Sequence, residues 1–272
     1  DAERLRKQAH RLFDRFNDRF WWEAEGTYYL GLDGKKRPIE TVASNAGHLL
    51  GSGIVPSERA GRVVSRLMAD DMWSGWGIRT LSSDHPAYNP FSYHTGSVWP
   101  HDGATIAGGF RRYGFIEEAS RVTRGLFDAA ERFTAYRLPE LFAGLPRQTG
   151  SFPVQYLGAN VPQAWAASAI FRLIALMCGI HVRSDKTGSR IYLDPALPEW
   201  IPSLSIHGLR AGRGSLDLEF HDGQTEVRSN TTRFEVVHGP PPTHEPRQTG
   251  RRARKGSPSG EAPRSEDAAA PG

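Results

Sequence analysis

Tyr88-Asn89-Pro90-Phe91-Ser92-Tyr93-His94-Thr95-Gly96-Ser97-Val98-Trp99-Pro100-His101-Asp102 sets aromatic rings, hydroxyls, an amide, imidazoles and one carboxylate side by side, then runs into an apolar helix. A segment that serves only packing does not carry so many hydrogen-bonding groups among its rings. A sugar has apolar C–H faces and a rim of hydroxyls, so aromatic faces interleaved with short polar groups are suited to hold one. The helix that follows, His101 to about Tyr113, is rich in small residues (Gly103, Ala104, Ala107, Gly108, Gly109), which permit close backbone approach.

Working outward, the stretch from Trp73 to Pro100 is a long connection. Loops beyond about 12–15 residues tend to be functional or disordered, and this one is too aromatic for disorder. Downstream, a helix is expected from Phe115 to about Phe133, then a second loop, Tyr136 to Val161, that carries Glu140. Pro162-Gln163-Ala164-Trp165 opens a further helix to Cys178. Upstream, Leu5, Leu12, Phe13, Phe16 and Phe20 mark an amphipathic helix over residues 1–20. Asp33-Gly34 signals a small hairpin or an elaborated loop, Ser44 to Leu50 a short helix, and Pro56 the start of another carrying Ala60, Val63, Val64, Leu67 and Met68.

The pattern changes after Gly179. Short runs at 191–193, 204–207, 215–220 and 224–227 alternate apolar and polar residues between Gly and Asp-Pro turns, which predicts a small antiparallel sheet. From Gly239 a Pro-Pro-Pro start, an Arg cluster and a closing Ala-Ala-Ala-Pro-Gly predict disorder. The expected organisation is a mainly helical unit over 1–180, an antiparallel β-domain over 181–238 and a tail over 239–272.

The 272 residues are 38% hydrophobic and 24% charged, the composition of a soluble globular protein. The net charge of +4 is no case for nucleic acid or a membrane surface. The tail alone holds six cationic and four acidic side chains, so half of the excess sits there. No apolar run approaches the roughly 20 residues of a membrane span. Cys178 is the lone cysteine, in an apolar stretch, and reads as a small buried side chain; the chain is not an extracellular disulfide scaffold, and a cytoplasmic setting is expected. The first residues have no signal-peptide shape and look like the interior of a helix, so the chain is read as the back part of a longer protein.

Acid–base chemistry has Asp84, Asp102 and Glu140 as candidates. Asp102, in a first helical turn, either favours the positive helix end, at about 0.3–1 kcal/mol, or hydrogen-bonds sugar hydroxyls. Glu140 lies in Leu138-Pro139-Glu140-Leu141-Phe142, whose apolar flanks should desolvate it and raise its pKa. The other reading is a loop ion pair with Arg137 or Arg147. Trp73, Trp76, Trp99, Tyr88, Tyr93 and Trp165 are stacking platforms or core; beside Asn89, His94, Thr95 and Gln163 the two readings stand level. His94 and His101 lack the spacing of a metal site, and no metal or other cofactor is expected.

Residues 89–102, followed by Arg111-Arg112-Tyr113-Gly114, resemble the bacterial amylo-α-1,6-glucosidase, or glycogen-debranching-type, glycoside hydrolases. Leu138-Pro139-Glu140-Leu141-Phe142, Pro162-Gln163-Ala164-Trp165-Ala166-Ala167 and Leu193-Asp194-Pro195-Ala196-Leu197-Pro198-Glu199-Trp200 are similar to the same family. The resemblance implies an (α/α)6 toroid of helical hairpins, of which this chain supplies the later half, the rest being a missing partner. It also implies inverting hydrolysis of α-glucosidic bonds in glycogen-like α-glucans or related α-glucosides by two carboxylates about 6.5–9.5 Å apart. Glu140 takes the position of the general base. Tyr93, His94, Trp99, His101, Asp102, Gln163 and Trp165 take those of substrate-binding residues. The family's acid, in an Arg-Asp-Ser/Thr-like segment, has no counterpart before Asn89. Gly103 stands where the family leads one to expect Asn. A non-catalytic sugar-binding or scaffold protein is the alternative from another class.

Overall fold

The computed structural model describes residues 1–186, 188–221 and 223–242. The predicted disorder therefore lies, from residue 243 onward, outside the described residues.

The helices are α1 (Ala2–Phe20), α2 (Asn45–Ser52), α3 (Ser57–Leu67), α4 (Pro100–Arg112), α5 (Ile116–Ala130) and α6 (Ala164–Met177). Pro100 at the first position of α4 follows the physics of a helix start, where the missing N–H is no loss. Helix α4 is the hub, packed against α2, α5 and α6. Its small residues explain how close the packing is. A Cβ on Gly109 would stand 2.8 Å from Leu50 Cβ and 2.9 Å from the Gly51 nitrogen, and one on Gly47 would stand 2.6 Å from Ile106 Cγ1. Leu50, Val63, Leu67, Ile106, Phe110, Val122, Leu126 and Leu173 fill the core between the helices.

Helix α1 departs from its expected amphipathic packing. Phe16 and Phe20 pack on the core, but Leu5 and Leu12 are 55% and 59% exposed. Its anchor is polar: the buried Asn17 amide donates to the Phe13 and Ile54 carbonyls at 2.9 and 2.8 Å and accepts from Tyr28 Oη at 2.6 Å. Between α1 and α2 lie the paired two-residue strands β1 (Trp21–Trp22) with β2 (Thr27–Tyr28), and β3 (Gly31–Leu32) with β4 (Pro38–Ile39).

The two long loops are knit to each other. Single bridges join Arg79 to Val98, Val98 to Phe142 and Phe142 to Gln155. Gly144 is the knot: its carbonyl accepts from buried Arg79 Nε at 2.7 Å and Tyr88 Oη at 3.0 Å, and its N–H donates to the Pro90 carbonyl. A Cβ there would lie 1.7 Å from the Gly96 carbonyl oxygen.

After α6 come β5 (Ile180–Asp185), β6 (Gly188–Leu193), β7 (Ser203–Ala211), β8 (Gly214–His221), β9 (Gln224–Asn230) and β10 (Glu235–His238). They form two three-stranded sheets, β7-β8-β9 and β10-β6-β5. The expected all-antiparallel pattern is corrected at one place, since β10 runs parallel to β6. Parallel neighbours need a long crossover, and the β7–β9 sheet supplies it. Leu216, Leu218 and Phe220 of β8 alternate inward and, with Ile191, Leu193 and Cys178, form a second core. Burial pushes the Cys178 thiol up to about 12, in keeping with its inert packing role. Arg111 of α4 reaches the Asp194 carbonyl and, at 3.5 Å, the Asp194 carboxylate, tying the helices to the end of β6.

Candidate active site

Glu140 is 8% exposed and sits two residues before the Val98–Phe142 bridge. Leu138, Leu141 and Phe142 are buried in the core, while the Glu140 carboxylate turns to polar partners. Oε1 accepts from Tyr93 Oη at 2.6 Å. Oε2 accepts from Asn160 Nδ2 at 2.9 Å and from the Asn160 backbone N–H at 3.2 Å. Neither expected ion pair forms: Arg147 bonds Asp128 at 2.6 Å, and Arg137 makes none among the described residues. The expected rise in pKa is corrected as well. The Tyr93 hydroxyl first, then the Asn160 backbone N–H, hold the carboxyl below the usual glutamate value. Donors to the charged form outweigh the desolvation that its flanks suggested. Tyr93, as the donor, is in turn pushed up by the carboxylate.

An aromatic wall continues from this carboxylate. The Tyr93 ring meets His94, Trp99 and Tyr156 edge-on at centroid distances of 4.6, 4.8 and 5.8 Å. His94 is parallel to Trp99 within 5° at 5.6 Å, Trp99 meets His101 edge-on at 5.5 Å, and His101 stacks on Trp165 at 4.3 Å. Trp99 Nε1 donates to the Tyr93 carbonyl and to Ser97 Oγ, both at 3.1 Å, which fixes its ring. Trp99 is buried, whereas Trp165 is 59% exposed and offers a free face.

Asp102, 8% exposed in the first turn of α4, is paired across the α2–α4 contact with His48, whose Nε2 meets Asp102 Oδ1. This bond raises the His48 pKa. Asp102 Oδ2 and His101 Nδ1 are each buried with no hydrogen-bond partner. Desolvation lowers the His101 pKa, and its titration responds to Asp102, His48 and Glu140 together. The imidazole of His101 thus lies within electrostatic reach of both carboxylates.

The other sequence candidates are placed as follows. Gln163 spends its Oε1 on the Ala166 N–H at 2.8 Å, capping α6, so its amide nitrogen is the group left for a ligand. Asn89 Oδ1 accepts from the Phe91 N–H and shapes its own turn. Asp84 is exposed in a turn beside Ser82. Gly103 faces α5, where a Cβ would lie 3.2 Å from Leu126 Cδ1, so a polar side chain there would point at the core. His48, Asn160 and Tyr156 escaped the sequence reading; a short helix over Ser44 to Leu50 was expected, observed as Asn45–Ser52, and its exposed histidine was the available signal for His48. Among the described residues no group of three or more His, Cys, Asp or Glu is placed to hold a metal ion. Among the same residues no helix is long and apolar enough to cross a membrane.

The mannosylglycerate hydrolase MGH1-like glycoside hydrolase domain matches residues 1–143, more than half of the chain, and the protein belongs to that family. The glycoside hydrolase expectation therefore stands; the match does not extend to amylo-α-1,6-glucosidase activity in particular. No curated protein matches the sequence. Among solved structures the chain is similar to the GH63 mannosylglycerate hydrolase from Thermus thermophilus in complex with glucose, at 22% identity and a TM-score of 0.45, over 58% of this chain and 37% of that one. It is similar to neutral trehalase Nth1 from Saccharomyces cerevisiae, at 14% identity and a TM-score of 0.50, over 63% of this chain and 30% of that one. It is also similar to a sialidase, at 11% identity and a TM-score of 0.65, over 83% of this chain and 22% of that one. The chain thus spans between 22% and 37% of the length of these structures, and its likeness to the trehalase and the sialidase is one of fold.

Proposed function

We propose that the chain is the later part of an (α/α)6 toroid, with the β-strands after Gly179 as a separate small domain, and that it carries the base side of an inverting α-glycosidase. The substrate class is an α-glucoside, from short α-glucans to branched ones. Glu140 is the general base. Its carboxylate is kept ionised by Tyr93 and Asn160, and an ionised carboxylate can take a proton from water as that water attacks the anomeric carbon. Trp165 supplies an exposed apolar face to the sugar, Trp99 backs the wall from its buried position, and His94, His101, Asp102 and Gln163 supply polar contacts. The observation that carries the reading is the Tyr93–Glu140–Asn160 arrangement at one end of a continuous aromatic wall.

No Arg-Asp-Ser/Thr-like acid precedes Asn89 in this sequence, so the acid is assigned to the part of the toroid that these residues do not supply. The experiment follows from that division. α-Glucosyl fluoride has a leaving group that needs little protonation, so it reports the base without the acid. The 272-residue chain is expected to hydrolyse α-glucosyl fluoride far faster than maltotriose, and Glu140→Gln to abolish the fluoride reaction. Equal turnover of both substrates, or full activity in E140Q, would sink the reading. Sugar binding without any turnover of the fluoride would favour a non-catalytic carbohydrate-binding protein. The family match favours a second reading, an α-mannoside such as mannosylglycerate. α-Mannosyl fluoride, compared at equal concentration, decides between the two sugars.

A further inference from the structure

His48, the α2 side of the contact between α2 and α4, is not used by the chemistry above. Glycines 47 and 109 let the two helices approach until Leu50 and Ile106 fill the gap between them. At that spacing His48 of α2, about half exposed, reaches Asp102 of α4. A carboxylate only accepts, so His48 Nε2 is the donor and Asp102 Oδ1 the acceptor. The contact leaves Asp102 Oδ2 buried and unpartnered in a residue that is 8% exposed. Buried polar atoms without partners are rare, and each needs an explanation.

We infer that His48 is a positioning residue: it fixes one oxygen of Asp102 so that the other meets a neutral hydroxyl of the sugar. The chemistry of the orphan atom selects the ligand. Oδ2 requires a donor, and a hydroxyl supplies one. A carboxylate or phosphate oxygen offers no donor and would face the Asp102 charge. The subsite therefore takes unmodified sugar hydroxyls and rejects an anionic substituent at the same position. This inference rests on the glycosidase reading of the cluster.

The test uses the 272-residue chain, with methyl α-glucoside titrated by tryptophan fluorescence and α-glucosyl fluoride as the kinetic substrate. His48→Leu removes the donor; His48→Gln keeps an N–H within reach of Asp102. His48→Leu is expected to raise the methyl α-glucoside Kd and the fluoride KM by about tenfold or more, in line with loss of a hydrogen bond to a charged group. The kcat should change little, because the hydroxyl is held alike in the ground and transition states. His48→Gln should stay within about threefold of wild type, with both variants unfolding near the wild-type temperature. In a series of monodeoxy methyl α-glucosides, one analogue should bind wild type and His48→Leu equally, because it lacks the hydroxyl in question. An unchanged KM in His48→Leu, an equal loss in both variants, or equal dependence on His48 across the deoxy series would overturn the proposal. If His48→Leu does not fold, Asp102→Asn in the same titrations takes its place, and an unaltered Kd there overturns it too. Should the wild-type chain bind no sugar and turn over no fluoride, the glycosidase reading itself falls and takes this inference with it. Wild-type binding that is indifferent to His48 removes this inference alone.

Discussion

The two carboxylates of the aromatic cluster are treated in opposite ways. Glu140 has both oxygens occupied, one by Tyr93 and one by Asn160. Asp102 has one oxygen occupied by His48 and the other buried without a partner. A group that is to accept a proton must be ionised before it acts, and hydrogen bonds to its charged form secure that. A group that is to hold a ligand must keep bonding capacity in reserve. In the proposed function Glu140 is the chemical end and Asp102 the binding end, and each end can be broken independently.

The largest effect belongs to the chemical end. Glu140→Gln should lower kcat on α-glucosyl fluoride by about 10²–10⁴-fold, the usual contribution of a positioned acid–base group. Binding of methyl α-glucoside should be nearly unchanged. Next comes the knot that holds the loops together. Gly144→Ala sets a methyl group into the Gly96 carbonyl oxygen at 1.7 Å. It should cost about 1–3 kcal/mol or more in urea unfolding, with loss of fluoride hydrolysis as Glu140 is displaced. At the binding end, Trp165→Ala removes an exposed ring stacked on His101. It should weaken sugar binding by about 0.5–1.5 kcal/mol in calorimetry and leave the unfolding midpoint in place.

The smallest change is a displacement along the pH axis. Tyr93 is the leading cause of the lowered Glu140 pKa. Tyr93→Phe therefore moves the acidic limb of the fluoride kcat/KM profile to higher pH, since the carboxyl then ionises later. The same sign holds for stability. A carboxyl depressed on folding stabilises above its unfolded pKa, and that contribution is lost as pH falls through the folded value. Acid unfolding of Tyr93→Phe should accordingly show a smaller dependence on pH in that window. An unshifted limb would mean that Tyr93 does not tune the base.

Much of the helical body was legible in the sequence. The small residues of α4, the Pro at its start and the apolar spacing of α3 carry their structures locally. The motif singles out Glu140 as a candidate, but the direction of its pKa was not legible. Flanking Leu138, Leu141 and Phe142 suggested an apolar setting, whereas the backbone buries those three and turns the carboxylate to Tyr93, 47 residues away in sequence. His48 was hidden for a similar reason. A single histidine on an eight-residue helix has no pattern of its own, and its partner lies 54 residues downstream. The parallel pairing of β10 was unreadable because a four-residue strand shows its partner only once the intervening sheet has folded. Periodicity reports what a residue is buried against on its own element. It does not report which distant polar group claims its side chain.

The central claim is that Glu140 activates water for attack from the face opposite the leaving group. The most direct measurement is proton NMR of the glucose first released from α-glucosyl fluoride by the 272-residue chain, recorded before mutarotation, with Glu140→Gln as the control. The account requires β-glucose as the initial product and its loss in the variant. Initial α-glucose, or β-glucose formed equally fast by Glu140→Gln, would contradict it.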